Sequence, residues 1–229
     1  MARSVLITGA TGGIGAAVAR AAADRSYRVI AAGRDAGRLD QQCAQMPGSI
    51  PVPVDLRYPG DLATSLPQLD RLDALVHCAG VADVAGVEET PHSLWSQTLT
   101  VNVMAAAEIT RMLLPALRRA AGHVIFINAA PGLHAVPRWS AYTASKAALR
   151  ELADSLRAEE APHGLRVTTV YPGGTATDLL AKVRAGFGRP YHPAECIQPA
   201  TLASVVLTVL DMRQDAYLPE VSVLPIPRP

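Results

Sequence analysis

Short apolar runs alternate along the chain with longer stretches whose apolar positions recur every three or four residues. Val5-Leu6-Ile7-Thr8 reads as a strand, followed by a Gly-rich turn and an Ala-rich helix reaching about Arg25. Arg28 to Ala32 is a second strand, and Asp35 reads as the N-cap of a helix to about Gln45. Ile50 to Val54 is a third strand, with Pro51 and Pro53 predicting frayed pairing at its start. A short helix is expected over 61–66 and a fourth strand from Ala74 to His77. Thr90-Pro91 predicts a cap with Pro at the first helical position. The helical stretch that follows runs to about Ala120, and Pro115 is expected to kink or interrupt it. Val124 to Ile127 is a fifth strand. A helix over 140–160 carries Leu149, Leu152, Ala153 and Leu156 as an apolar stripe, and Gly164 ends it. Arg166 to Tyr171 is a sixth strand. Residues 178–195 read as loop or short helix, before a helix over 199–212 and a last strand near 221–224.

Strands that are apolar on both faces and separated by helices predict an α/β fold. A doubly wound, Rossmann-type parallel sheet of about seven strands, covered on both faces, fits best. No repeat or linker divides residues 1–229, so a single domain is the economical reading. At 49% hydrophobic and 18% charged, the chain is not a disordered or acidic-tail protein. A net charge of +1 leaves no footprint for nucleic acid or an anionic membrane. Cys43, Cys78 and Cys196 are scattered and read as reduced, buried thiols of a cytosolic protein. The N-terminal apolar run is too short for a signal peptide. The stretches free of Asp, Glu, Lys and Arg, 90–107 and 120–137, are broken by polar residues and Pro, so no membrane span is expected. The expected location is the cytoplasm.

Candidate chemistry begins at the first strand–helix junction. Thr8-Gly9-Ala10-Thr11-Gly12-Gly13-Ile14-Gly15 lies where a tight turn opens a helix. Small residues there let the backbone approach a pyrophosphate, whose charge meets the helix N-terminus. An abrupt loop would need glycines too, but the strand before and the helix after both fit nucleotide binding.

The pattern T-G-x-x-x-G-x-G departs from the usual G-x-G-x-x-G and resembles that of the short-chain dehydrogenases/reductases. The resemblance continues in order along nearly the whole chain. His77-Cys78-Ala79-Gly80 is similar to that family's N-N-A-G turn with two substitutions. Asn102 matches its helical Asn, Tyr142-Thr143-Ala144-Ser145-Lys146 its Y-x-x-x-K, and Tyr171-Pro172-Gly173-Gly174-Thr175-Ala176-Thr177 the P-G motif bordering the nicotinamide. The resemblance implies cofactor contacts at Gly9, Thr11, Gly12, Gly13, Ile14, Gly15, Pro172, Gly173, Thr175 and Thr177. It adds Asp55 and Leu56 at the adenine, and Ala79 and Gly80 near the adenine ribose.

Tyr142 and Lys146 lie four apart on a predicted helix, so both side chains share one face. A phenol titrates near ~10, and a neighbouring ammonium is expected to lower that pKa. The resemblance makes Tyr142 the general acid/base and lets Lys146 also hold the nicotinamide ribose. It gives Asn102 a water leading toward Lys146, through its amide or a local distortion of its helix. The departure is at the fifth strand. The family's active-site Ser, 13 residues before the Tyr and three before a Gly, falls on Ala129, with Gly132 following. Ser140 and Thr143 flank the Tyr, but a helix directs them elsewhere. A lost hydroxyl of this kind costs ~10²–10³ in turnover. Ala129 therefore implies impaired activity, natural or engineered, an enzyme that uses another donor, or a protein that only binds its cofactor.

The end of the second strand reads Ala31-Ala32-Gly33-Arg34, without the carboxylate an NAD site uses on the ribose. Arg34 stands where a guanidinium meets a 2′-phosphate, so NADP(H) is favoured over NAD(H). The expected function is NADP(H)-dependent carbonyl–alcohol interconversion on a small-molecule substrate covered by 178–195. A binding-only sensor is the alternative. A nucleotide-sugar epimerase is disfavoured by the missing C-terminal substrate domain and the turn spacing. Ala- and Leu-rich helices near 102–119 and 140–160 suggest a homodimer or homotetramer. The six His show no metal spacing and read as surface or strand-end residues. Arg118-Arg119 and Glu159-Glu160 read as solvated helix charges; Trp95 and Trp139 read as packing at helix surfaces or lining the substrate cleft, with core packing the first choice.

Overall fold

The computed structural model describes residues 2–130, 135–213 and 215–227. Seven strands, β1 (Ser4–Thr8), β2 (Arg28–Gly33), β3 (Ile50–Pro53), β4 (Ala74–His77), β5 (His123–Ile127), β6 (Arg166–Pro172) and β7 (Glu220–Val223), form one sheet in the order 3-2-1-4-5-6-7. Every pairing is parallel, so every strand delivers its C-terminal end to the same edge. The chain runs outward through β2 and β3, then crosses to β4 on the other side of β1. A crevice opens at that reversal, between the ends of β1 and β4.

Alternate residues of the central strands feed two cores. Leu6, Leu75, Val124 and Phe126 pack with α5 (Ala105–Ala120) and α6 (Ser140–Glu160) on one face. Val5, Ile7, Val76 and Ile125 pack with α1 (Gly13–Asp24) and α8 (Pro199–Asp211) on the other. Burial on both faces is what their continuous apolar runs require. The helix α2 (Ala36–Cys43) is capped by Asp35, whose carboxylate accepts from the Arg38 backbone N–H at 3.0 Å.

Several local expectations are corrected. Pro91 occupies the N-cap position of α4 (His92–Leu99) rather than its first turn. The helical stretch is interrupted at Thr100–Met104, a π-helical turn, while Pro115 sits inside an uninterrupted α5. The π turn widens the helix around buried Asn102, whose bonds to another segment determine where the disruption falls. After α6 a short 3₁₀ turn, Ala161–His163, intervenes before Gly164 ends the run with φ +69°. Glu160 is not a solvated charge: it is 2% exposed and accepts two bonds from Arg118, at 2.6 and 2.8 Å, that tie α6 to α5. That guanidinium holds its carboxyl below the usual range. The three thiols are free but only half-buried. His77 and His123 are strand-end residues, as read, yet both are fully buried.

Segment 178–195 contains α7 (Asp178–Gly186), capped by Thr177, whose hydroxyl accepts from the Leu180 N–H at 3.2 Å. A short α3 (Leu62–Ser65) completes the elements. Among the described residues no helix is long and apolar enough to cross a membrane.

Candidate active site

The crevice between β1 and β4 is built by close backbone approach. Gly9 turns with φ +66°, and a Cβ there would lie 2.9 Å from the Ala79 Cα. Thr8 Oγ1 accepts from the backbone N–H groups of Cys78 and Ala79, clamping the two strand ends together. Gly15 lies beneath, where a Cβ would collide with the Gly9 carbonyl, so it supports the turn without lining the cleft. Gly12 caps α1 without a side-chain bond. The first N–H groups of α1 have no helical partner and are a ready anion site.

A cleft of about 750 Å³ runs from this turn past Arg34, Asp55 and Leu56 to Ala79 and Gly80. Thr11, Gly12, Gly13, Ile14 and Thr177 also line it. Two of the three carboxylates that line it are engaged: Asp35 caps α2, and Asp55 is held by Arg57 at 2.6 Å, while Asp178 lies at the start of α7. Arg57 holds the Asp55 carboxyl below its usual range, with Arg34 adding to the effect. Arg34 has no ion pair among the described residues and is exposed. Sequence reasoning missed Arg38, which donates to the Thr11 carbonyl at 2.7 Å and lines the same end. Only its place in the first turn of α2, beside the end of β2, signalled it. The donor set fits a dinucleotide: an uncapped helix start, a turn open to backbone approach, and a guanidinium outside any ion pair.

A second pocket of about 380 Å³ adjoins the first through Ile14, Ala79, Gly80 and Thr177. Tyr142, Lys146, Ala129, Pro172, Gly173 and Thr175 line it. Lys146 Nζ donates to the Ile127 carbonyl at 2.9 Å and lies 5.8 Å from the Tyr142 ring centre. Burial pushes the Lys146 ammonium down to about 8 and the Tyr142 phenol up to about 12. The expectation that the ammonium lowers the phenol's pKa is therefore corrected. Burial outweighs the lysine, whose Nζ is drawn to a strand carbonyl.

Asn102 lines neither pocket. Its Oδ1 accepts from the Val81 N–H at 2.8 Å, and its Nδ2 donates to the Val81 carbonyl and to Ser145 Oγ, each at 2.9 Å. Ser145 Oγ in turn donates to the Tyr142 carbonyl at 2.7 Å. The amide is thus spent on protein groups, and it couples the loop after β4 to the helix bearing Tyr142. Ser145, fully buried within Y-x-x-x-K, was missed as part of this chain.

Ala129 lines the same pocket as Tyr142, and its methyl offers no donor there. Its N–H is occupied by Asn128 Oδ1 at 2.9 Å, and the Ala130 N–H by the Pro172 carbonyl at 3.0 Å. Gly132 lies outside the described residues. Thr143 Oγ1 bonds back to the Trp139 and Ser140 carbonyls, and neither Ser140 nor Thr143 lines the pocket. Trp139 is no core residue: it lines the pocket, stacked on Tyr142 at 4.3 Å between ring centres, with Phe187 edge-on at 5.6 Å. Its position one helical turn before Tyr142 was the available signal.

Comparisons with known proteins agree with this architecture. The family model described as short chain dehydrogenase matches residues 3–187. A dehydrogenase/reductase SDR family protein 7-like from Drosophila melanogaster is 33% identical, over 89% of this chain and 68% of that protein. An alcohol dehydrogenase from the archaeon Thermococcus sibiricus, complexed with 5-hydroxy-NADP, superposes with a TM-score of 0.87 at 22% identity, covering 100% of this chain and 99% of that one. A 3-ketoacyl-(acyl-carrier-protein) reductase from Brucella melitensis, complexed with NADH, gives 0.84 at 20% identity, covering 97% and 96%. By sequence and by fold, the chain belongs to the short-chain dehydrogenase/reductase family of oxidoreductases.

Proposed function

We propose that this oxidoreductase is NADP(H)-dependent and interconverts a carbonyl and an alcohol on a small molecule, as a single domain. The observation that carries the cofactor choice is Arg34. It is a guanidinium without an ion pair at the end of β2, where the neighbouring carboxylates Asp35 and Asp55 are already engaged. Arg34 and Arg38 would hold the 2′-phosphate, and the free N–H groups opening α1 the pyrophosphate. When bound, the nicotinamide supplies or accepts the hydride at the substrate carbon. Lys146 would hold the ribose beside it.

In reduction, Tyr142 donates its phenolic proton to the oxygen as the carbonyl carbon gains hydride, giving the alcohol. The high pKa of the buried phenol keeps that proton in place at neutral pH. In oxidation the phenolate form of Tyr142, having first released its own proton, takes the proton from the alcohol oxygen. Asn102 and Ser145 act by fixing the turn of α6 that carries Tyr142. At Ala129 the pocket lacks the hydroxyl the family uses, and the adjacent N–H groups are engaged. Turnover is therefore slower by ~10²–10³ than a hydroxyl at this position would allow.

That same occupied donor set supports a second reading, a protein that binds NADP(H) without turnover. The three free thiols suit the cytoplasm. Exposed Met104, at the end of the π turn, and exposed Leu224 and Ile226, after edge strand β7, support a homodimer or homotetramer.

The cofactor assignment is tested by fluorescence titration of NADPH and NADH into the parent and Arg34→Ala. Loss of one bidentate phosphate contact should weaken NADPH about tenfold or more, since charge-assisted hydrogen bonds are each worth ~1.5–3 kcal/mol. NADH should change little. Equal loss for both cofactors would remove the assignment.

A further inference from the structure

The two adjoining pockets differ in chemistry. The smaller one, beyond Tyr142, is walled by Trp139, Phe187, Val136, Leu180 and Val183. Among the described residues no carboxylate lines it, while Arg184 and Arg189 do. The Arg189 guanidinium is exposed and lies 5.4 Å from the Phe187 ring centre. Arg184 differs: it is half-buried in the last turn of α7 and has no ion pair among the described residues. A guanidinium with no protein counter-ion at the edge of an apolar wall is a ready partner for a bound anion. The C-terminal end of α7 accounts for some of its placement but is a partial charge only. The segment is anchored at both ends. Its start is tied by the Ala176 N–H to the Ile197 carbonyl at 2.8 Å, and at its end Gly186 packs so closely on Val84 that an added Cβ would lie 2.9 Å from the valine Cβ. Arg184 is therefore presented from a fixed helix, one turn from the apolar wall.

Resting on the oxidoreductase reading above, we propose that the substrate is a flat, apolar, preferably aromatic carbonyl or alcohol compound carrying a carboxylate. Its body lies against Trp139 and Phe187, and its carboxylate meets Arg184. Apolar walls with a few convergent polar groups are the usual construction of a small-molecule site. A guanidinium matches a carboxylate in two parallel bonds. Trp139 stacks directly on Tyr142, so a ring seated on this aromatic pair is held beside the proton donor.

The test is calorimetric titration of 2-naphthoate, neutral 2-naphthamide and acetate into the parent, Arg184→Gln and Arg184→Lys, each with NADP⁺ present. The parent should bind 2-naphthoate about tenfold or more tighter than 2-naphthamide, the scale of one charged hydrogen-bonded contact. Acetate should give no detectable heat. Arg184→Gln should bring the ratio to about one, and Arg184→Lys should restore part of it. Equal affinities in the parent, no binding of either naphthyl probe, acetate binding as well as 2-naphthoate, or a ratio that survives Arg184→Gln overturns the proposal. Because binding is measured without turnover, an inactive Ala129 pocket does not obscure it. Intact naphthoate selectivity in a protein that fails to bind NADP⁺ would overturn the oxidoreductase reading instead.

Discussion

Lowering the pH from 7.5 to 5 should destabilise this fold through two histidines buried without charge. His77 stacks on Phe126 at 4.9 Å and faces Thr110 Oγ1 at 2.9 Å, and that hydroxyl donates onward to the Ala106 carbonyl. His123 faces Thr168 Oγ1 at 2.7 Å, and that hydroxyl donates to the Leu218 carbonyl. Each hydroxyl hydrogen is thus spent, so each Nε2 carries the proton and donates. The His123 Nδ1 is buried with no partner, so protonating it would place an unsatisfied charge in the core. Burial pushes both rings down to about 3 from 6.5. A depressed folded pKa means the unfolded chain binds the proton first. The stabilisation is therefore complete above 6.5 and is lost as pH falls toward 3. The slope is ~1.4 kcal/mol per pH unit for each ring. Over the 1.5 units from 6.5 to 5 that amounts to about 2 kcal/mol each and about 4 together. Urea unfolding at pH 7.5 and pH 5 measures the difference directly. In His77→Asn and in His123→Gln, about half of the pH-dependent loss should vanish. An unchanged difference in both variants, or ring titration near 6.5 by NMR in the folded state, would refute the reasoning.

Breaking the Arg118–Glu160 pair should cost less than a fully buried pair, because Arg118 is 41% exposed. Arg118→Met is expected to destabilise by ~2 kcal/mol at neutral pH, with the deficit shrinking in acid as Glu160 protonates, read by urea unfolding. Light scattering at micromolar concentration should give a dimer or tetramer mass. A monomer would contradict the proposed association of the exposed apolar positions at Met104 and Leu224.

The fold was legible because its signals are local. Apolar runs such as Val124 to Ile127 cannot be half-exposed, and the Gly-rich turn needs nothing beyond its neighbours. Signals that depend on distant partners were not legible. Pro115 looked like the helix breaker, but its position tolerates it. The break comes at Asn102, where the family resemblance allowed a local distortion of the helix, and its amide is claimed by Val81 and Ser145. Glu160 read as solvated because nothing nearby in sequence shows Arg118 reaching it across two helices. At the site, Tyr142, Lys146 and Ala129 are brought to one pocket as the spacing suggested. The acid–base balance was misjudged, because burial of Tyr142 and the pull of the Ile127 carbonyl on Lys146 are tertiary effects. Trp139 lines the cleft, one of the two places its sequence allowed; core packing was the first choice because hydrophobicity alone does not separate a cleft wall from an interior.

The proposed chemistry delivers hydride to the substrate carbon and a proton from Tyr142, in a pocket short of one donor. The deciding measurement is transfer of deuterium from C4-deuterated NADPH into the alcohol product, across a carbonyl panel. The proteins are the parent, Ala129→Ser and Ala129→Ser with Tyr142→Phe. The parent should label the product slowly, and Ala129→Ser should raise the rate by ~10²-fold or more. The double variant should lose most of that gain while still binding NADPH. Labelling unchanged by Ala129→Ser, or undiminished by the added Tyr142→Phe, with cofactor bound in every case, would contradict it.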